Sequence, residues 1–216
     1  MDIRKQGEAS SSPSVSLRIV SVTKEGAPSG CMAVHADDGS LLFLSHSCIK
    51  KHSVSEGSFF YSKQLSSIAA EDERYRISLY VDRLLRRFSY PVSVLRKKLL
   101  NRGFSKDVVE DFLVSLNKAG LVDDEAYARM WVQSRMEKSP LSPVYLKAKL
   151  VQKGIDASVA DRVVNSLEED VVMDSAFDYA KKLARQGLDI EKIASRLKNR
   201  AYPYNMIKKI LHKIKA

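Results

Sequence analysis

Residues 95–131 read LRKKLLNRGFSKDVVEDFLVSLNKAGLVDDEAYARMW, and this stretch decides the fold. It holds a short basic helix, a glycine stop, a second helix, another glycine stop and the start of a third helix. Shifting the chain by 51 residues places Leu95 on Leu146, Leu99 on Leu150, Gly103 on Gly154, Val108 on Val159, Phe112 on Val163 and Leu116 on Leu167. A further shift of 47 carries the same positions to Ile193, Leu197, Ala201, Met206, Ile210 and Ile214. Apolar residues recurring at i, i+4 and i+8 form one stripe of a 3.6-residue helix. A repeat detected at this scale sets the architecture before any single element is assigned.

The punctuation of the repeat has a physical reading. Gly103 and Gly154 follow their helices, where glycine takes the left-handed conformation at little steric cost. Phe104 and Ile155 come next and can fold back on the helix just ended, and Ser105 and Asp156 supply oxygens suited to capping the following helix. In the third copy Ala201 replaces the glycine and Pro203 stands at the cap position, so that turn is expected to differ in shape. Each unit also has a leading helix with large residues one turn apart: Tyr80 and Leu84, Tyr127 and Trp131, Tyr179 and Leu183. A unit of three helices in roughly 45–50 residues buries too little surface to stand alone, so neighbours should stack.

The expected fold is therefore mainly α, with three tandem three-helix repeats over 71–119, 120–170 and 171–216. A flexible tail over 1–14 and a small β-rich segment over 15–70 precede them. Within that segment Ser16–Val22, Cys31–Ala36 and Leu41–Leu44 alternate like strands, with a turn at Asp37-Asp38-Gly39-Ser40. Ser45 or Ser47 is expected to cap a short helix that Gly57 breaks, and Phe59–Ile68 is expected to begin helical structure leading to Asp72.

Composition narrows the function. The chain has 216 residues, 44% of them apolar, enough for a core. No apolar run approaches the roughly 20 residues that cross a bilayer, and the polar N-terminus lacks the core of a signal peptide, so a cytoplasmic protein is expected. The two cysteines form no disulfide framework. Cys31, His35, His46, Cys48 and His52 lie close in sequence, the first two on one face of a strand and His46 with Cys48 on another. Their spacing fits no usual zinc pairing, so buried cysteines and surface histidines are expected, with no metal and no cofactor. No P-loop, G-x-S-x-G or H-E-x-x-H is present, which points away from an enzyme.

Net charge is +10, and it is uneven: +1 over residues 1–70, +4 over 71–119, −2 over 120–170 and +7 over 171–216. Basic surfaces favour polyanions. The repeat carries a cation pair in register, Lys98 and Arg102, Lys149 and Lys153, Arg196 and Arg200, each pair sharing a helix face. Stacked units would align these six in a row suited to phosphates or to an acidic strip of a partner. Arg86, Arg87, Arg96 and Lys97 add to the first unit, Arg129 and Arg135 flank Trp131, and Lys208 and Lys209 lie on the last helix beside an apolar stripe of Met206, Ile210 and Ile214. Asp123, Asp124 and Glu125 open a helix, where carboxylates cap it and meet its positive end. Trp131, Tyr127 and Tyr179 sit at core spacing, with stacking on bases as the other reading.

The block GLVDDEAYARMWV at 120–132, preceded by LRKKLLNRGFS and followed by LKAKLVQKGID, resembles the RecX family of bacterial recombinase regulators. The resemblance runs from about Tyr75 to the C-terminus, and its central unit is the most specific part. It implies a tandem three-helix protein, with a variable β-rich segment ahead of it, that binds the RecA filament on DNA and restrains it. The implied role is a non-catalytic inhibitor in homologous recombination, DNA repair and the SOS response. Such a protein would lie in the filament groove and limit filament extension, ATP hydrolysis and strand exchange. Its expected partners are the RecA filament and single- and double-stranded DNA without sequence preference, met by a monomer. A direct DNA-binding protein using helix-turn-helix-like units is the alternative.

Overall fold

The computed structural model describes residues 16–215, so the tail expected over 1–14 lies outside the described residues. The chain divides into two compact units. One extends through Asp82 and includes Phe104–Val109; the other comprises Arg83–Gly103 and Glu110–Ala216.

The first unit is built on an antiparallel sheet. Strands β1 (Ser16–Thr23), β2 (Cys31–Ala36), β3 (Leu41–Ser45) and β4 (Phe59–Tyr61) take the order β3-β2-β1-β4. Cys31 pairs with Ser45 across β2 and β3, and Leu17 with Phe60 across β1 and β4. Gly39, at φ 83°, closes the hairpin between β2 and β3 in a conformation other residues resist. Leu17, Ile19, Val34, Leu44, Phe60, Leu65 and Ile68 form this unit's core. Asp72 is buried beneath it and is fully engaged. It accepts from the Ser45 backbone N–H at 3.0 Å, from the Ser45 hydroxyl, and from Arg76 Nε at 3.0 Å.

Three expectations for this segment change. Phe59–Tyr61 is a strand, because Phe60 faces the sheet core while its neighbours face solvent, and helix α2 (Ser62–Leu85) begins only after it. Helix α1 (His46–His52) is capped by Ser45, which accepts from the Cys48 N–H, and ends at Ser53 in the left-handed conformation rather than at Gly57. His46 and Cys48 therefore lie on a helix, two residues and about 200° apart, and not on one strand face. Cys48 is buried while His46 is exposed. Burial, then the nearby Asp72 and Glu71 carboxylates, push the Cys48 thiol up to about 11, and burial raises Cys31 likewise. Among the described residues no group of three His, Cys, Asp or Glu side chains is placed to hold a metal.

Helices α3 (Val92–Leu100), α4 (Lys106–Lys118), α5 (Asp124–Lys138), α6 (Pro143–Gln152), α7 (Ala157–Asn165), α8 (Glu169–Arg185), α9 (Ile190–Lys198) and α10 (Tyr204–Lys215) follow. The succession α2–α4, α5–α7, α8–α10 is a tandem three-helix repeat. On the second helix of each unit the stripe read from the sequence is the buried face: Leu95 and Leu99, Leu146 and Leu150, Ile193 and Leu197 are all at 0% exposure. On α4 and α7 the buried face is turned by one residue from the expected stripe, with Val109, Leu113 and Ala160 buried and Val108, Phe112, Val159 and, past the end of α7, Leu167 half-buried. One contiguous core joins α5 through α10, with Ala128, Val132, Ala160, Ala176 and Ile210 among its members. Small residues at 128, 160 and 176 let these helices approach closely.

Backbone bonds show why the repeat has its period. The Gly154 N–H donates to Val151 O and the Ile155 N–H to Leu150 O, which is the reversal that ends a helix with a left-handed residue. In the third unit the Ala201 N–H donates to Lys198 O and the Tyr202 N–H to Leu197 O. Ala201 adopts φ 58°. The turn thus keeps its shape despite the missing glycine, because packing of α9 and α10 fixes it, and the strain falls on an exposed alanine. None of the helices among the described residues is long and apolar enough to cross a membrane.

Candidate nucleic-acid interface

The site is assembled by α5, α6, α8 and α9, all in the second compact unit. Asp123 caps α5 by accepting from the Glu125 and Ala126 N–H groups at 2.8 and 2.9 Å. With that start fixed, α5 buries Ala128, Val132 and Met136, and Trp131 and Arg135 stand one turn apart beside the buried stripe. Ser142 caps α6 through the Tyr145 N–H, and Pro143 suits the first turn, where no N–H is needed. Leu146 and Leu150 then point inward, leaving Tyr145 and Lys149 one turn apart at the edge. Asp189 caps α9 through the Lys192 N–H at 2.8 Å, and Ile193 and Leu197 point inward. That phase carries Arg196 and Arg200 to the same side.

These edges surround a cavity of ≈ 350 Å³ lined by Trp131, Arg135, Ser139, Leu141, Tyr145, Lys149, Tyr179, Arg196, Asn199 and Arg200. Four of the lining residues are cationic and none is acidic. A concave surface of one sign focuses its field and concentrates counter-ions.

Cations and rings alternate here. Arg135 and Lys153 each lie 5.5 Å from the centre of the Trp131 ring, Lys149 lies 5.5 Å from that of Tyr145, and Arg200 lies 4.0 Å from that of Tyr179. The second cation of the pair thus meets an aromatic side chain of its unit's leading helix in both cases: Lys153 on Trp131, Arg200 on Tyr179. Arg200 is committed internally as well. Its Nη1 donates to Ser139 Oγ at 2.9 Å and Pro140 O at 2.8 Å, while its carbonyl accepts from the Ser142 N–H at 3.2 Å. It ties the end of α9 to the loop between α5 and α6. Arg196 is exposed, and among the described residues no carboxylate pairs with it.

The structure gathers part of the expected row. Lys149, Arg196, Arg200 and Arg135 share the cavity, with Lys153 against its tryptophan. Lys98 lies instead over Tyr90 at 5.3 Å, and Arg102 is exposed near the end of α3. Arg96 forms a two-point pair with Glu110 at 2.7 and 2.9 Å, and Arg129 pairs with Glu125 at 2.7 Å. Arg86, Arg87 and Lys97 are exposed before and on α3, and Lys208 and Lys209 are exposed on α10. Sequence spacing did not reveal the part played by Tyr145 and Asn199. The Tyr145–Lys149 pair, one turn apart on a basic helix, was the available signal. Trp131, Tyr127 and Tyr179, expected as core, are half-buried: each packs on the core, and Trp131 and Tyr179 also face the cavity.

Fold and site together define a tandem three-helix repeat protein with a cationic, aromatic concave face. Residues 123–164, which build most of that face, match the family model "RecX, second three-helix domain". The "Regulatory protein RecX" of Amycolatopsis mediterranei is 35% identical over 44% of this chain and 51% of its own length, and that of Corynebacterium efficiens is 32% identical over 43% and 44%. The chain spans about half the length of these two relatives. The protein of the same name from Chlorobium limicola is 26% identical over 67% of this chain and 93% of its own. A solved structure titled "Crystal structure of regulatory protein RecX" superposes with a TM-score of 0.62 at 22% identity, covering 90% of this chain and 98% of that one. The RecX of Lactobacillus salivarius superposes with a TM-score of 0.61 at 22% identity, covering 67% and 98%. The chain is thus similar to RecX proteins, most specifically over residues 123–164, and shares their fold.

Proposed function

We propose that this protein is a non-catalytic regulator of the RecA recombinase that binds the RecA filament on DNA and restrains it. The observation that carries the reading is the cation-rich, carboxylate-free face between the second and third units, in a chain whose relatives are named regulatory proteins. A filament repeats its anionic surface at intervals, and a repeat protein offers several modest contacts that add through avidity. Lying in the filament groove, such an array blocks subunit addition or locks neighbours together. ATP hydrolysis and strand exchange then fall.

The test is RecA ATP hydrolysis on single-stranded DNA with this protein titrated in. Inhibition well below one protein per RecA supports a groove or end binder. No effect on RecA, together with tight binding to bare duplex DNA, moves the reading to a direct DNA-binding protein.

A further inference from the structure

We propose that the cavity between α5, α6 and α9 is a subsite for one unstacked nucleotide of single-stranded DNA. The base lies against Trp131 and Tyr145, and the adjoining phosphate sits between Lys149 and Arg196. The proposal deepens the DNA-bound regulator reading and rests on it.

Size comes first. At ≈ 350 Å³ the cavity falls at the low end of the roughly 300–1,000 Å³ range of small-molecule pockets, so it takes a single compact unit and not a turn of duplex. Chemistry comes second. Three aromatic rings and four cations line it without a carboxylate, and single-strand sites combine a basic track with rings on which bases stack. A duplex keeps its bases inside and presents only phosphates, which leaves the rings unused. An acidic peptide would likewise satisfy the cations and ignore the rings.

The cations are placed to take part in the exchange. Arg135 and Lys153 rest against the indole at 5.5 Å. A base stacking on Trp131 displaces one of these long, flexible side chains, and the displaced charge is then beside the phosphate of the same nucleotide. Arg200 is held by Ser139, Pro140 and Tyr179, so it shapes the wall and leaves ligand binding to Lys149 and Arg196.

The chain contains one tryptophan, and it stands in the cavity, so its fluorescence reports occupancy directly. The full chain is titrated at low salt with a thymidine oligonucleotide, an abasic deoxyribose-phosphate oligomer of equal length, and a polyglutamate peptide. Saturable quenching by the thymidine oligomer is expected, with the abasic oligomer binding roughly 5- to 100-fold more weakly because the stacking contribution is lost. Reversing Lys149 and Arg196 to Glu is expected to leave helicity by circular dichroism intact. It should weaken binding at least tenfold and lower the slope of log affinity against log salt by about 0.7, the share of one neutralised phosphate on a single strand. Equal binding of the abasic oligomer overturns the base-stacking subsite, and equal quenching by polyglutamate reassigns the cavity to an acidic protein segment. No quenching by the thymidine oligomer also overturns the proposal. RecA ATPase assays on the same double variant separate the two readings: inhibition retained while oligonucleotide binding is lost leaves the regulator standing, and quenching without any effect on RecA does the reverse.

Discussion

The Ser93 hydroxyl donates to the carbonyl of Gly154 at 2.6 Å, joining the start of α3 to the turn that ends α6. Gly154 sits at φ +90°, and a Cβ built on it would lie 2.2 Å from Ser93 Oγ. Glycine is thus required twice at this position, for its backbone conformation and for the close approach of a neighbouring unit. Gly154→Ala is expected to cost about 2–5 kcal/mol, the sum of the left-handed penalty for an L-residue and the overpacking against Ser93. Urea midpoints at unchanged m-value measure it. Ser93→Ala alone should cost about 1 kcal/mol for the lost hydrogen bond. Combining the two should cost less than their sum, because the clashing oxygen is gone. Additive losses would show that Ser93 does not limit residue 154.

Ala201 makes the same turn with the wrong residue. It holds φ 58° on the surface, with the two reversal hydrogen bonds intact. Ala201→Gly removes a left-handed penalty of about 1–2 kcal/mol and gives back about 0.4–1 kcal/mol in unfolded-chain entropy. A net gain of about 0.5–1 kcal/mol is expected, read as a higher urea midpoint. A loss of stability would mean that the alanine methyl contributes packing that its exposure does not show.

These two turns also mark what the sequence could and could not disclose. The repeat, the order of its helices and the buried faces of α3, α6 and α9 were legible, because a 3.6-residue stripe and a following glycine are local signals that recur in phase; on α4 and α7 the buried face lies one residue away, at Val109, Leu113 and Ala160. The left-handed Ala201 was not, since nothing local favours it; the packing of α9 and α10 imposes it. The strand Phe59–Tyr61 was missed for the same reason, its three residues being recruited by the open edge of β1 at Leu17 and Arg18. At the site, the recurrence of Lys149 with Lys153 and of Arg196 with Arg200 was legible, although Lys153 and Arg200 stand past the ends of α6 and α9 and not on a helix face. Spacing gives no information about what stands opposite these cations, so neither the internal commitment of Arg200 nor the convergence of Trp131, Tyr145 and Tyr179 could be read.

Asp124 and Glu125 are adjacent and should respond to acid in opposite senses. Burial raises the Asp124 carboxyl above the ordinary aspartate value, against the lowering effect of the Val92 N–H that it accepts at 2.8 Å. Its folded pKa exceeds its unfolded one, so its contribution to stability falls as pH rises from about 4 through the raised value, and the penalty is complete above it. Asp124→Asn keeps an oxygen for Val92 and removes that fall. The half-buried Glu125 is held below the usual range by hydrogen bonds from Arg129 and then Arg162. Its contribution is present above its unfolded value and is lost as pH falls through the folded one. Urea midpoints across the acid range should show the advantage of Asp124→Asn over wild type growing with pH, and the deficit of Glu125→Gln growing with pH. Parallel curves for the two variants would refute the assignment.

Arg196, on α9, and Arg200, two residues past its end, both line the cavity, and stability and binding should separate them. Arg200 gives two hydrogen bonds to the Ser139–Pro140 loop and stacks on Tyr179, whereas Arg196 is exposed at the cavity mouth. Losing charge-assisted bonds to partly buried partners costs about 1.5–3 kcal/mol, so Arg200→Ala should lower the urea midpoint clearly. Arg200→Lys should recover only part of the loss, because an ammonium cannot both stack flat on the ring and reach two acceptors. Arg196→Ala should stay within about 0.5 kcal/mol of wild type, as surface changes do, yet weaken binding to single-stranded DNA. Equal destabilisation by both alanines would place Arg196 in the scaffold and remove it from the binding face.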